Sequence, residues 1–84
     1  MNQVLEPVYS PCHGSVKEVI VKPNSYVYEW ETLCFIETED GRKEEVSIGI
    51  SGIVTSVEVE RGQEVTPSTK ITVIQDDLEI TGSD

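Results

Sequence analysis

The side chains that could do chemistry in this chain are few. They are one histidine, two cysteines, and the lysine and carboxylates of residues 37–46, which read Glu-Thr-Glu-Asp-Gly-Arg-Lys-Glu-Glu-Val. Cys12-His13 sets a thiol beside a base, a combination used in nucleophilic catalysis and in metal binding. Adjacent residues of an extended chain point to opposite faces, however, and no third ligand stands nearby, so the pair is assigned a structural role. Cys34 lies in the apolar run Leu33-Cys34-Phe35-Ile36 and is expected to be a small buried hydrophobe. The two cysteines make neither a disulfide framework nor a zinc pattern. No other nucleophile is spaced with a base, and no glycine-rich phosphate loop occurs. The expectation is a protein that is not an enzyme and holds no metal. Lys43 remains, an amine flanked by Arg42 and Glu44 and set just past the turn dipeptide Asp40-Gly41.

Those residues lie between two copies of one pattern. Displaced by 38 positions, residues 13–37 fall on residues 51–75 without a gap. Gly14 meets Gly52, Val16 meets Val54, Val19 meets Val57, Val27 meets Val65 and Ile36 meets Ile74. A gapless internal repeat organises the whole chain. Alternating β-branched residues place strands at 15–21, 26–28, 33–37, 43–50, 53–59, 64–66 and 71–74, with an edge strand between Pro7 and Pro11. In the turn at 22–25, Asn24 aligns with Gly62, which points to a positive φ in both halves. No segment has helical periodicity with caps. Four short strands cannot bury an apolar face alone, so the halves must pack on each other as a flattened barrel or sandwich with quasi-twofold symmetry. A single domain is expected over 7–75, after a loose N-terminus at 1–6 in which Val4 and Leu5 could begin a strand. It is followed by an acidic, flexible tail at 76–84, where Leu78 and Ile80 could extend the last strand.

Sixteen acids against six bases give a formal charge of −10. Such a surface repels nucleic-acid phosphates and anionic lipid headgroups. It suits a soluble protein kept monomeric by self-repulsion, or one that docks on a basic partner. The N-terminal residues lack the basic and apolar regions of a secretory signal, and no window approaches the roughly 20 apolar residues of a membrane span. A cytoplasmic location is expected. Trp30, with Tyr26 and Tyr28 close by, could form an exposed aromatic patch suited to an interface. The plainer expectation is that these rings cover one end of a thin core.

With those features in place the chain resembles the biotinyl/lipoyl carrier domain family, biotin carboxyl carrier protein-like domains included. Each half of that family runs Gly-x-Val, a strand, Gly-Asp-x-Val, a turn and then Leu with apolar alternation. Here this reads Gly14-Ser15-Val16, Asn24-Ser25-Tyr26-Val27 and Leu33, then Gly52-Ile53-Val54, Gly62-Gln63-Glu64-Val65 and Ile71. The match covers about residues 7–75. It implies an all-β barrel-sandwich hybrid, two four-stranded sheets built from the two repeats. It also implies a lysine at the tip of the central hairpin, in a Met-Lys-Met setting for biotin or Asp-Lys-Ala for lipoate. Counted forward from Glu37 that position is Asp40, and counted back from Val46 it is Gly41; neither is lysine. The hairpin is one residue longer, which suits a three-residue loop with a glycine bulge. The turn glycine before the Leu is replaced by Trp30 in the first half and Ser68 in the second. The expected function is therefore a module without a prosthetic group that acts by protein binding or regulation near carrier-dependent enzymes. Its contact residues would be Glu39, Asp40, Gly41, Arg42 and Trp30. The alternative is a true covalent carrier with biotin or lipoate on Lys43, serving a carboxylase or acyl-transfer complex. A carboxylase, an acyltransferase or a biotin/lipoate ligase is the expected kind of partner under either reading.

Overall fold

A computed structural model describes residues 4–76. Eight strands form in chain order: β1 (Leu5–Tyr9), β2 (Gly14–Val19), β3 (Tyr26–Val27), β4 (Cys34–Glu37), β5 (Lys43–Val46), β6 (Gly52–Val57), β7 (Glu64–Val65) and β8 (Lys70–Asp76). One sheet is ordered β1-β8-β6-β3 and the other β5-β4-β2-β7, and every pairing in both is antiparallel. The expected all-β barrel-sandwich is the fold.

The 38-residue offset is visible in the ladders. It carries β2 onto β6 and β3 onto β7 residue for residue, and it carries one sheet's strand order onto the other's. Val16 pairs with Ile36, and Val54 with Ile74. The register slips between Val16 and Glu18 in β2 and between Val54 and Ser56 in β6, so both long strands bulge at the same place. The halves interlock. β3 of the first half pairs with β6 of the second, and β7 of the second with β2 of the first. Asn24 N–H donates to the Val54 carbonyl at 2.7 Å, and Gly62 N–H donates to the Val16 carbonyl at 2.8 Å. Neither half can close its own sheet.

Glycine is required at the crossings. A Cβ on Gly14 would strike the Glu37 carbonyl, and one on Gly52 the Gln75 carbonyl. Alternation on the strands points Val8, Val16, Val27, Cys34, Ile36, Val46, Val54, Val65 and Ile74 into one core between the sheets, joined by Leu33 and Ile71, which are buried at the matching places of the two halves.

Several boundaries differ from those expected of the sequence. Leu5 and Glu6 belong to β1, paired with Gln75 and Ile74, so the segment 1–6 is not loose from residue 5 onward. These two residues have no apolar alternation of their own, and their place is fixed by a partner at the far end of the chain. The return strand stops at Val46 because residues 47–51 cross from one sheet to the other; Ile48 and Ile50 pack against the core without joining a ladder. β8 runs on to Asp76. Met1 to Gln3, Leu78, Ile80 and the rest of the expected flexible tail lie outside the described residues. Among the described residues no helix is long and apolar enough to cross a membrane.

Candidate functional site: the β4–β5 hairpin

The hairpin joining the two repeats is closed by a polar network. Gly41 N–H donates to the Thr38 carbonyl at 3.0 Å, and Thr38 N–H donates to the Arg42 carbonyl at 2.8 Å. Gly41 has φ +86°, the left-handed residue of the expected three-residue loop with a glycine bulge. The Thr38 hydroxyl donates to the Asp40 carboxylate and accepts from Arg42 N–H at 3.0 Å. Arg42 Nε lies 3.2 Å from Asp40 Oδ2, and its Nη1 lies 3.7 Å from Glu44. The Thr38 hydroxyl, with the Arg42 guanidinium adding to it, holds the Asp40 carboxyl below its ordinary value. Glu39, Asp40, Gly41 and Arg42 are thus brought together at an exposed, well-tied apex that offers carboxylates and a guanidinium but no amine.

The amine stands two residues farther along. Lys43 opens β5 opposite Glu37, is exposed, and carries its Nζ 5.0 Å from the centre of the half-buried Phe35 ring. Its strand neighbour Glu37 is paired with Lys17 at 3.5 Å. Behind the hairpin a cleft of about 370 Å³ is lined by Glu37, Glu39 and Glu64 together with His13, Ser15 and Thr66. His13 is therefore placed on the hairpin side of the molecule, a position that its adjacency to Cys12 does not reveal.

Trp30 does not join these residues. It lies at the other end of β4 and β5, where its N–H donates to the Ile48 carbonyl at 2.9 Å and its ring rests against Gly49. It has φ +64°, a left-handed backbone at the position where the family pattern puts glycine. Trp30, Tyr26 and Tyr28 are exposed rather than folded over the end of the core, which corrects the plainer expectation for these rings. Cys34 is fully buried, and burial pushes its thiol up to about 11.

Comparison with known proteins settles the family. A family model described as biotin-requiring enzyme matches residues 4–74. The chain belongs to that biotinyl/lipoyl family. A search of curated protein sequences finds no match. Among solved structures, the urea carboxylase of Kluyveromyces lactis is similar, with a TM-score of 0.77 and 20% identity over 88% of this chain. The chain spans 6% of that much longer protein, and at this identity the likeness shows the fold alone.

Family membership overturns the expectation of a module without a prosthetic group. A family of biotin-requiring enzymes points to biotin or lipoate as the attached group. The expectation rests on the lack of a lysine at the counted apex positions Asp40 and Gly41, with Lys43 kept only as the alternative. The residues present fit such a group. Attachment needs an exposed primary amine on a rigid support, and Lys43 is the one primary amine on this hairpin.

Proposed function

We propose that the chain is a carrier module of the biotin-requiring enzyme type, with biotin or lipoate in amide linkage to Lys43 Nζ. The observation that carries this reading is the exposed Lys43 amine on the polar-tied hairpin of a chain whose family is defined by a biotin requirement. Loading is an acyl transfer. Nζ, after losing its proton, bonds to the acyl carbon of an activated carboxylic donor, and the bond from that carbon to its leaving group breaks. The bound group supplies a covalent hold on a carboxyl or acyl unit passed between active sites. The protein's part is to present the amine from a stiff strand and keep the apex fixed for a modifying enzyme to grip. The network tying Thr38, Asp40 and Arg42 serves that end, with Glu39 to Arg42 as the contact surface for a ligase, carboxylase or acyltransferase partner. The module is not itself catalytic in this reading. It works in the cytoplasm, where the free thiols Cys12 and Cys34 stay reduced.

Intact-mass measurement on protein from its native host tests the assignment. The expected result is a biotinyl or lipoyl mass increment that is lost in Lys43→Arg. An unmodified wild-type mass, or an increment that survives Lys43→Arg, would overturn it.

A further inference from the structure

The symmetry of the fold supplies an internal control for surface composition. Across the first sheet, Leu5, Gln75, Ile53 and Tyr26 are neighbours in one row, linked by the pairings of β1 with β8, β8 with β6 and β6 with β3. The row faces outward, since the next residues inward, Val27, Val54 and Ile74, are buried. Offset by 38, its mate in the second sheet is Lys43, Glu37, Ser15 and Glu64. The two rows occupy equivalent places in equivalent sheets. One is charged and polar; the other is apolar apart from Gln75. The fold does not need apolar residues there, because its own second copy does without them.

Two further rings enlarge the apolar row. Tyr28 packs edge-on against Tyr26 with ring centres 5.1 Å apart, and Trp30 follows in the turn closed by Glu31 N–H donating to the Tyr28 carbonyl. Leu5 is 53% exposed, Ile53 37%, Tyr26 42%, Tyr28 68% and Trp30 67%. Trp30 is also held at φ +64°, a conformation that disfavours a bulky side chain. Large exposed rings gathered near exposed Leu5 and Ile53 are the composition of an interface rather than of a solvated face.

The charge around the strip narrows the occupant. Glu29 and Glu31 flank Trp30, and the whole chain carries −10. A second copy would bring the same acids face to face, whereas lysine or arginine side chains would find carboxylates at the border and aromatic faces in the strip. We propose that the outer row Leu5–Ile53–Tyr26, extended by Tyr28 and Trp30, is a docking surface for a basic amphipathic segment of a partner protein. The segment places apolar side chains on the row and arginine or lysine beside Glu29, Glu31 and the rings. The row lies on the sheet that does not contain Lys43, Trp30 lies at the far end of β4 and β5 from the hairpin, and docking does not depend on whether that lysine is acylated.

Trp30 is the single tryptophan, so its fluorescence reports on the strip directly. The probes are three synthetic peptides added to the unmodified full chain. The first is an amphipathic leucine–arginine peptide, the second has the same pattern with glutamate for arginine, and the third is an arginine–glycine–serine peptide with no apolar face. Only the first is expected to shift Trp30 emission to shorter wavelength, with an affinity that weakens as salt is raised. The triple substitution Leu5→Lys, Ile53→Ser, Tyr26→Glu copies three of the four mate-row residues onto this one and leaves the net charge unchanged. It is expected to keep its cooperative unfolding and to weaken that binding by about tenfold or more. Equal binding by the triple variant, or equal binding of the glutamate peptide, would overturn the proposal. So would failure of the triple variant to fold, which would make the row structural. A dimer of the wild-type chain in sedimentation that the triple substitution dissolves would overturn it in favour of a second copy.

Discussion

The two sheets agree on their inner faces and part company on their outer ones. Inside, Val16 and Val54, Ile36 and Ile74, and Val27 and Val65 are identical pairs, each residue at most 2% exposed. Outside, Leu5, Ile53 and Tyr26 stand where the mate row has Lys43, Ser15 and Glu64. Close packing explains the difference. An interior at crystal-like density feels the change of a single methylene, so the two halves are held to the same solution. An outward residue on a sheet has solvent for a neighbour, and its identity is free to follow whatever the surface meets. Divergence from the symmetry is then informative. It leaves Lys43 as the hairpin's amine in one sheet and an apolar strip in the other.

The sharpest way to break this comparison is to cut the core in each half separately. Ile36 and Ile74 are both fully buried at equivalent registers. Ile36→Ala and Ile74→Ala are each expected to cost about 2–5 kcal/mol of unfolding free energy, the range for truncating a buried isoleucine. Urea denaturation of the two variants should give losses that agree within about 1 kcal/mol and m-values that do not change. Losses that differ by more would show that the halves are not equivalently packed, whatever their sequences share.

Much of this architecture is legible in the sequence, and the reason is local. The repeat offset, the positive φ at Asn24 and Gly62, and the bulged Asp40-Gly41 loop all follow from short-range chemistry, namely alternation and residues that tolerate left-handed backbone. The features that the sequence hides depend on partners distant along the chain. Leu5 and Glu6 join β1 only because β8 lies beside them, some 70 residues later. The strip of Leu5, Ile53 and Tyr26 comes from three separated strands and has no signature in any one of them. Trp30 is visible as a glycine replacement, but its exposure follows from how residues 47–51 cross between the sheets, with Gly49 lying under the ring. Lys43 is visible as the hairpin's amine, but the apex counts fall on Asp40 and Gly41, and the amine lies beyond them in β5.

Two inner pairs do differ, Leu33 with Ile71 and Cys34 with Thr72, and the second predicts a smaller effect. Cys34 in β4 corresponds to Thr72 in β8, both fully buried. The Thr72 hydroxyl donates to the Ser56 carbonyl in the bulge of β6, while Cys34 offers a thiol that burial keeps protonated. Thr72→Val removes the donor, and is expected to cost about 1–3 kcal/mol, the penalty for a buried group left unpaired. For Cys34 the signature is pH dependence. Its thiol titrates near 9.0 in the unfolded chain and at about 11 in the native state. The native form therefore holds its proton where the unfolded form has lost it. The contribution is fully present below pH 9 and disappears as pH rises toward 11. Stability curves of wild type and Cys34→Val should run parallel below pH 9, and above it wild type should fall relative to the variant by roughly 2 kcal/mol. Curves that stay parallel to pH 11 would mean that the thiol is not shielded.

The smallest expected effect lies at the two turns where the halves agree in backbone but not in residue. Asn24 has φ +76° and Gly62 has φ +89°, and each donates its N–H to the long strand of the other half, at 2.7 and 2.8 Å. Asparagine tolerates the left-handed region, whereas glycine enters it freely but gives the unfolded chain more conformations to lose. For Asn24→Gly these two terms oppose each other, and for Gly62→Asn they oppose in the reverse sense. Each exchange is therefore expected to move stability by no more than about 0.5 kcal/mol, with opposite signs, as read from urea midpoints. Gly62→Val has no such compensation. A β-branched side chain in that conformation should cost about 1–2 kcal/mol or more, and the same change at Asn24 should cost nearly as much. If valine were tolerated at one turn and not at the other, the two turns would share a hydrogen bond and a sign of φ but not a geometry, and the twofold relation would stop at the strands.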